Sequence, residues 1–430
     1  MALSLNRTHA VIPGGAHTYS KGDDQFPANA PGFLERGEGV RVWDEEGREY
    51  LDWSMALRAI SLGYGNRAVN DAAIEQIHKG SNFGRPSRIE TELAEDLIDL
   101  LPGMNMVKFA KNGSTVTTAA VKLARAYTGR DMVGICRDHP FFSYDDWFIG
   151  TTVCDAGVPE VTKTLTTTFG YNDIASAEEM FAEYPSQISC VILEPTTTEP
   201  PREKFLHALR DLCHRNGAIF ILDEMITGFR FHRSGAQSLF DVQPDLCTFG
   251  KGMGNGFSVA ALCGKREIME LGGLLHGQRR VFLISTTHGA ENHSLAAARA
   301  VVRIYKDHDV TGHMTHIGQR LMDGLNEASR DNGVGSYFEA YGFACNPAYV
   351  CRDRDGAVSL PLKTVFMQEM IKAGILIPYM VPAFAHTDAD VDRTVEAARK
   401  ALKVCARALE DGWERHLDGP PVKPVFRAFN

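Results

Sequence analysis

Two short stretches of the chain are apolar almost throughout: Ile188-Ser189-Cys190-Val191-Ile192-Leu193 and Ala218-Ile219-Phe220-Ile221-Leu222. Short continuous runs of this kind are typical of strands buried on both faces. The helix-like sequence between them, Lys204 to Arg215, predicts a strand–helix–strand unit of a parallel sheet. Each run ends in acid, Glu194-Pro195 and Asp223-Glu224. Ligands of open α/β sheets bind at the carboxyl ends of the strands, so these acids stand where a site is expected. Residues 37–52 read as a hairpin: Val40 and Val42 alternate with polar residues, Gly47 supplies a turn, and Tyr50-Leu51 begins the return strand. Leu93, Ala94, Leu97, Ile98 and Leu101 recur at helical spacing until Pro102-Gly103 stops them. Near the end, Val391, Val395, Ala398, Leu402, Cys405 and Leu409 form one apolar stripe behind a cap at Thr387-Asp388-Ala389-Asp390.

This pattern predicts an α/β chain, with one large, mostly parallel α/β/α domain and a smaller α+β domain formed by both chain ends. Residues 1–70 would join the small domain, 71–315 form the large one and 316–430 complete the small one. No apolar run approaches the roughly 20 residues that span a bilayer, and no charged start followed by a long apolar stretch marks a secretory signal. The net charge of −9 argues against a sequence-independent nucleic-acid partner, which requires a basic face. Nine scattered cysteines without a CxxC pair suit reduced, packed thiols, so a cytoplasmic chain is expected. The histidines lack HExxH spacing, and no metal is indicated.

The chemistry concentrates in two segments. Asp223-Glu224-Met225-Ile226-Thr227-Gly228-Phe229-Arg230 is followed about twenty residues later by Thr248-Phe249-Gly250-Lys251-Gly252-Met253-Gly254. A buried carboxylate can hold a heterocyclic nitrogen protonated, and a lysine can form a Schiff base with a carbonyl cofactor. In the second segment, Val107 to Arg125, a strand runs through Lys111-Asn112-Gly113-Ser114-Thr115 into a helix. A helix N-terminus offers unpaired N–H groups and positive dipole to a phosphate, although an ordinary N-cap at Ser114 or Thr115 also fits. The spacing is neither a Walker A loop nor a GxGxxG fingerprint.

A phosphate cup, an acid for a ring nitrogen and a lysine for an aldehyde together describe a pyridoxal-phosphate site. The motif Asp223-Glu224-x-x-Thr227-Gly228-x-Arg230 with Thr248-x-Gly250-Lys251 resembles the class III aminotransferases, among the fold-type I pyridoxal-phosphate enzymes. The likeness is greatest to the glutamate-1-semialdehyde 2,1-aminomutase branch and runs from Pro13-Gly14-Gly15 to His386-Thr387-Asp388. The resemblance implies that Lys251 is the Schiff-base lysine and proton-transfer base, and that Asp223 pairs with the pyridinium nitrogen. It places Met225 where the family usually has valine under the ring. Gly113 and Ser114 would take the phosphate beside Asn112 and Thr115. An aromatic should stack on the outer ring face; Phe141 is preferred over its neighbour Phe142. Thr286 or Thr287, preferably Thr287, would reach the phosphate of the neighbouring subunit in a homodimer with shared sites.

Three departures bear on substrate. Ser54-Met55-Ala56-Leu57-Arg58-Ala59 lacks the tryptophan of the aminomutase pattern and adds Arg58. The path from Gly374 to His386 carries no counterpart of the aminomutase loop glutamate, and Thr287-His288-Gly289-Ala290-Glu291 replaces Thr-Leu-Ser-Gly-Asn. The expected activity is therefore intermolecular transfer of an amino group from an amino-acid donor such as L-glutamate to a keto or aldehyde acceptor, possible acceptors including a sugar-like one. Arg58, Tyr19 and Glu194 are the candidate substrate residues, Arg58 by forked pairing with a carboxylate. Intramolecular aminomutase chemistry is the alternative, with decarboxylation or racemisation behind it.

Overall fold

In a computed structural model the chain is described from residue 2 to residue 429, residues 2–6 by their backbone alone, and divides into two units. One is formed by both chain ends, up to Asn66 and again from Val310, and the other by Arg67–Asp309. The end-formed unit begins its sheet with β1 (Leu34–Glu38), β2 (Arg41–Asp44) and β3 (Glu49–Asp52), which pair antiparallel in sequence order. The hairpin read from the sequence is β2–β3, with Val42 opposite Tyr50. Gly37 and Glu38 belong instead to β1, an exposed polar strand with no apolar alternation to reveal it. Gly47 turns β2 into β3 at φ 78°, a left-handed conformation that suits glycine.

Directly after β3 the backbone enters a left-handed turn of four consecutive non-glycine residues: Met55 (φ 42°), Ala56 (49°), Leu57 (59°) and Arg58 (74°). Each such residue costs about 1–2 kcal/mol, because its Cβ crowds the following carbonyl oxygen. The wholly buried carboxylate of Asp52 holds the turn. Its Oδ1 accepts from Ser54 N (2.8 Å) and Ser54 Oγ (2.6 Å), and its Oδ2 from Met55 N (3.1 Å) and Tyr64 OH (2.7 Å). Trp53 is locked beside it, with Nε1 donating to Thr394 Oγ1 at 2.9 Å and the ring stacked on His386 at 4.0 Å.

The Arg67–Asp309 unit is built on seven strands, β4 (Met106–Ala110), β5 (Met132–Cys136), β6 (Thr166–Phe169), β7 (Ile188–Leu193), β8 (Ile219–Asp223), β9 (Leu246–Phe249) and β10 (Ala260–Gly264). Their order is β4-β10-β9-β8-β7-β5-β6, parallel except for β10, which runs against both neighbours. Every residue of β5, β7, β8, β9 and β10 is buried, which is why the β7 and β8 sequences are almost unbroken apolar runs. The helix Gly113–Thr128 buries Val116, Ala120, Leu123 and Ala124, whose small residues allow close packing. The chain is thus a fold-type I α/β architecture, with the carboxyl ends of β7, β8 and β9 on one edge of the sheet.

From Val310 the chain returns to the end-formed unit. There β11 (Phe338–Phe343) and β12 (Asn346–Cys351) form a hairpin, and β13 (Ile375–Leu376) joins β3 in parallel. The last helix, Asp388–Asp411, starts at the expected cap, where Thr387 and Asp390 exchange hydrogen bonds in a capping box. Val391, Ala398, Leu402 and Cys405 of the predicted stripe are buried in that unit's core. All nine cysteines are free, and no described helix is long and apolar enough to cross a membrane.

The left-handed turn yields a stability test. Ala56→Gly is expected to stabilise the chain by up to about 1 kcal/mol, because glycine adopts this conformation without the Cβ contact. A raised midpoint of chemical unfolding checks it, and a lowered midpoint would mean that packing of the Ala56 methyl outweighs the backbone cost.

Candidate active site

Strands β8 and β9 are parallel neighbours whose register sets Asp223 opposite Thr248. Thr248 Oγ1 donates to Asp223 Oδ1 at 2.9 Å, and the N–H of Met225 donates to the same oxygen at 3.0 Å. Burial pushes the Asp223 carboxyl above its ordinary range, while the charge of Lys251 and these two donors pull it back. Both donors bond to the one oxygen, Oδ1, and a buried carboxylate held in this way suits a protonated ring nitrogen. Lys251 follows β9 after one glycine, at φ 41°, and opens a short 3-10 turn to Gly254.

The expected phosphate cup falls at the start of helix Gly113–Thr128. Its N-cap is Asn112, not Ser114 or Thr115: the Asn112 carboxamide oxygen accepts from Thr115 N (3.0 Å) and Thr115 Oγ1 (3.1 Å). That cap engages the Thr115 N–H and leaves those of Gly113 and Ser114 for an anion at the positive end of the helix. Ser114 is buried, and its Oγ accepts from Tyr144 N at 3.1 Å, which keeps its O–H available as a donor. Met225 extends its thioether between Gly113 and Gly250. A buried carboxylate for a ring nitrogen, a helix N-terminus for a phosphate and a lysine near the carboxylate fit pyridoxal phosphate.

Beyond β5, Phe142 is 2% exposed and packs edge-on against Phe148, whereas Phe141 is 45% exposed. Of the two, Phe141 is the one with a ring at the surface. Glu194, at the end of β7, is buried, and its N–H donates to His139 Nδ1 at 3.0 Å. That bond assigns the His139 proton to Nε2, which has no partner among the described residues. Desolvation lowers the His139 pKa to about 4 and keeps the ring neutral. Thr286 and Thr287 lie exposed ahead of helix Asn292–Asp307, where the Thr287 carbonyl accepts from Asn82 Nδ2 at 2.8 Å. Arg58 and Tyr19 belong to the other unit. There Arg58 Nε donates to Asn346 Oδ1 at 2.8 Å, its guanidinium lies 5.2 Å from the centre of the Tyr379 ring, and Tyr19 is 68% exposed.

From the sequence Glu224 only marks the acidic end of a strand, Thr248 only opens the lysine motif, and His139 has no assigned role. Thr248 was legible in principle, since it opens the lysine motif and falls in register with the acid. Glu224 is wholly buried and accepts from the Thr227 hydroxyl, Ala236 N (2.8 Å) and Gln237 N (2.7 Å), with burial raising its pKa to about 7. It closes the loop after β8 upon itself. Gly235, at φ 83°, lets that loop pass, since a Cβ there would sit 2.6 Å from the Glu224 carboxylate.

The sheet order, the buried acid and the lysine beyond the next strand define a pyridoxal-phosphate enzyme of fold type I. The family profile described as Aminotransferase class-III matches residues 22–172 and 149–402, and the chain belongs to that family. It is 32% identical to the glutamate-1-semialdehyde 2,1-aminomutase of Desulforamulus reducens, over 94% of this chain and 97% of that protein. Among solved structures, it is similar to the FumI protein of Sphingopyxis sp. MTA144 in its PLP internal aldimine form (TM-score 0.87, 25% identity, 95% and 97% of the two chains). An omega-transaminase from Sphaerobacter thermophilus follows, with TM-score 0.84, 25% identity and coverage of 94% and 97%.

His139 supplies a pH test. Its folded pKa, about 4, lies below the ordinary 6.5, so the unfolded chain takes up the proton first, and stability falls as pH drops from 6.5 toward 4. The loss from this one group approaches about 3 kcal/mol. His139→Asn keeps an acceptor for the Glu194 N–H without a titrating ring. Unfolding midpoints across this range should decline less steeply in the variant than in the wild type.

Proposed function

We propose that this class III enzyme is an intermolecular aminotransferase that takes an amino group from an amino-acid donor, L-glutamate, and passes it to a separate keto or aldehyde acceptor of sugar-like character. It would act as a cytoplasmic homodimer. The observation carrying the intermolecular reading is the stretch Gly374–His386, which holds no acidic side chain and whose Ile375, Leu376, Ile377, Met380, Val381 and Ala383 are buried. It cannot supply the loop carboxylate expected of an aminomutase. The aminomutase reading is second, favoured by the name of the Desulforamulus relative.

In the proposed mechanism the cofactor supplies an electrophilic aldehyde and an electron sink. The Asp223 carboxylate, held by Thr248 and the Met225 N–H, would keep a proton on the ring nitrogen. Gly113 and Ser114, beside the cap that Asn112 forms with Thr115, would hold the phosphate, joined by Thr286 or Thr287 of the neighbouring subunit. Phe141 covers the outer ring face. Lys251 would be the Schiff-base lysine, and its Nζ the base that holds the proton taken from the donor's α-carbon. Arg58, whose Nε is held by Asn346, is the proposed residue for a substrate carboxylate, and Tyr19 and Glu194 are the other residues proposed to meet substrate.

Absorption spectra of the holoenzyme titrated with L-glutamate and a panel of other amines test this reading. The lysine-bound cofactor band should bleach with a donor and return on adding an acceptor, and Lys251→Ala should abolish both changes. Bleaching by no donor, together with turnover of glutamate-1-semialdehyde alone, would establish the aminomutase reading instead.

A further inference from the structure

One side chain meets all three parts of the cofactor site. Met225 gives its N–H to the Asp223 carboxylate at 3.0 Å. Its thioether fills the space above two glycines that come from distant parts of the chain. A Cβ on Gly113, the first residue of the phosphate-cup helix, would meet Met225 Cε at 3.0 Å, Cγ at 3.3 Å and Sδ at 3.4 Å. A Cβ on Gly250, next to the lysine, would meet the same Cε at 2.2 Å and Sδ at 2.9 Å. Gly250 has φ −179°, extended backbone open to any residue, so only the space taken by Met225 opposes a side chain there.

We propose that Met225 is a positioning residue, a spacer that fixes the distance between the phosphate cup and the lysine turn while its own backbone orients the acid. Cup, acid and lysine stand on β4, β8 and β9 and the segments that follow them, and a loop side chain wedged among them makes a displacement of one felt by the others. Methionine suits this task because its unbranched thioether fills an irregular gap between two bare backbones. The resemblance places residue 225 beneath the ring. The inference here is that it couples the two glycines, so that substitutions at Gly113 and Gly250 act through Met225 and not through local backbone strain.

A double-mutant cycle decides it. Adding a methyl at Gly250 strikes the far end of a flexible side chain, so the chain should fold while the thioether is displaced. Gly250→Ala is expected to weaken pyridoxal-phosphate binding about tenfold and to shift the absorption maximum of the bound cofactor, with the cofactor-free thermal midpoint moving by less than about 4 °C. Met225→Ala removes Cγ, Sδ and Cε, and with them both tight contacts of the new methyl, leaving an ordinary 3.5 Å approach to the Val259 carbonyl oxygen. The double variant Met225→Ala/Gly250→Ala should then bind the cofactor no worse than Met225→Ala alone, and Gly113→Ala should follow the same rule. Losses that multiply in the double variants would overturn the proposal. Should Gly250→Ala fail to fold, recovery of folding in the double variant supports coupling through Met225, and failure of both overturns it.

Discussion

A carboxylate buried at the end of a strand is costly unless its charge is answered, and the site in this enzyme is arranged around that cost at Asp223. Register does the first part, by bringing Thr248 opposite the acid on the adjacent strand. Proximity of Lys251 does the second. The Met225 N–H, on the same oxygen as Thr248, does the third. The fold therefore answers its buried acid from three sides, an arrangement suited to a protonated heterocycle.

Next to it, Glu224 handles the same burial differently. With the Thr227 hydroxyl and two backbone N–H groups converging on it, it serves the backbone of its own loop. Asp223 ends β8 and Glu224 opens the loop after it, so one carboxylate faces the adjacent strand while the other serves the loop. His139 extends the theme beyond β5, where a neutral ring held by the Glu194 backbone places an N–H among buried groups.

Much of this was legible in the sequence, for physical reasons. Buried parallel strands cannot hide, because nearly every position must be apolar, and β7 and β8 stood out for that reason. The acid and lysine were legible because few residue types do their chemistry and their spacing is fixed by one strand and one loop. Strand β1 was not, since an exposed strand needs no apolar alternation. The cap at Asn112 was missed because Asn, Ser and Thr all cap helices and three capable residues lie together, with only geometry choosing between them. The wedge of Met225 between Gly113 and Gly250 brings together residues 112 and 25 positions away in the chain, a proximity that no local pattern encodes.

The left-handed turn at Met55–Arg58 has a consequence for how this protein can change. Its backbone is dictated from outside, by the Asp52 carboxylate and Tyr64, and not by the four side chains that ride on it. All four are ordinary L-residues under the same conformational penalty, so exchanging one for another leaves that penalty nearly untouched. The turn works as a fixed bracket with interchangeable fittings. Met55 is buried in the core, but at the half-buried positions 56–58 new side chains can be tried without renegotiating the fold, and it is here that this chain carries Leu57 and Arg58 in place of an indole.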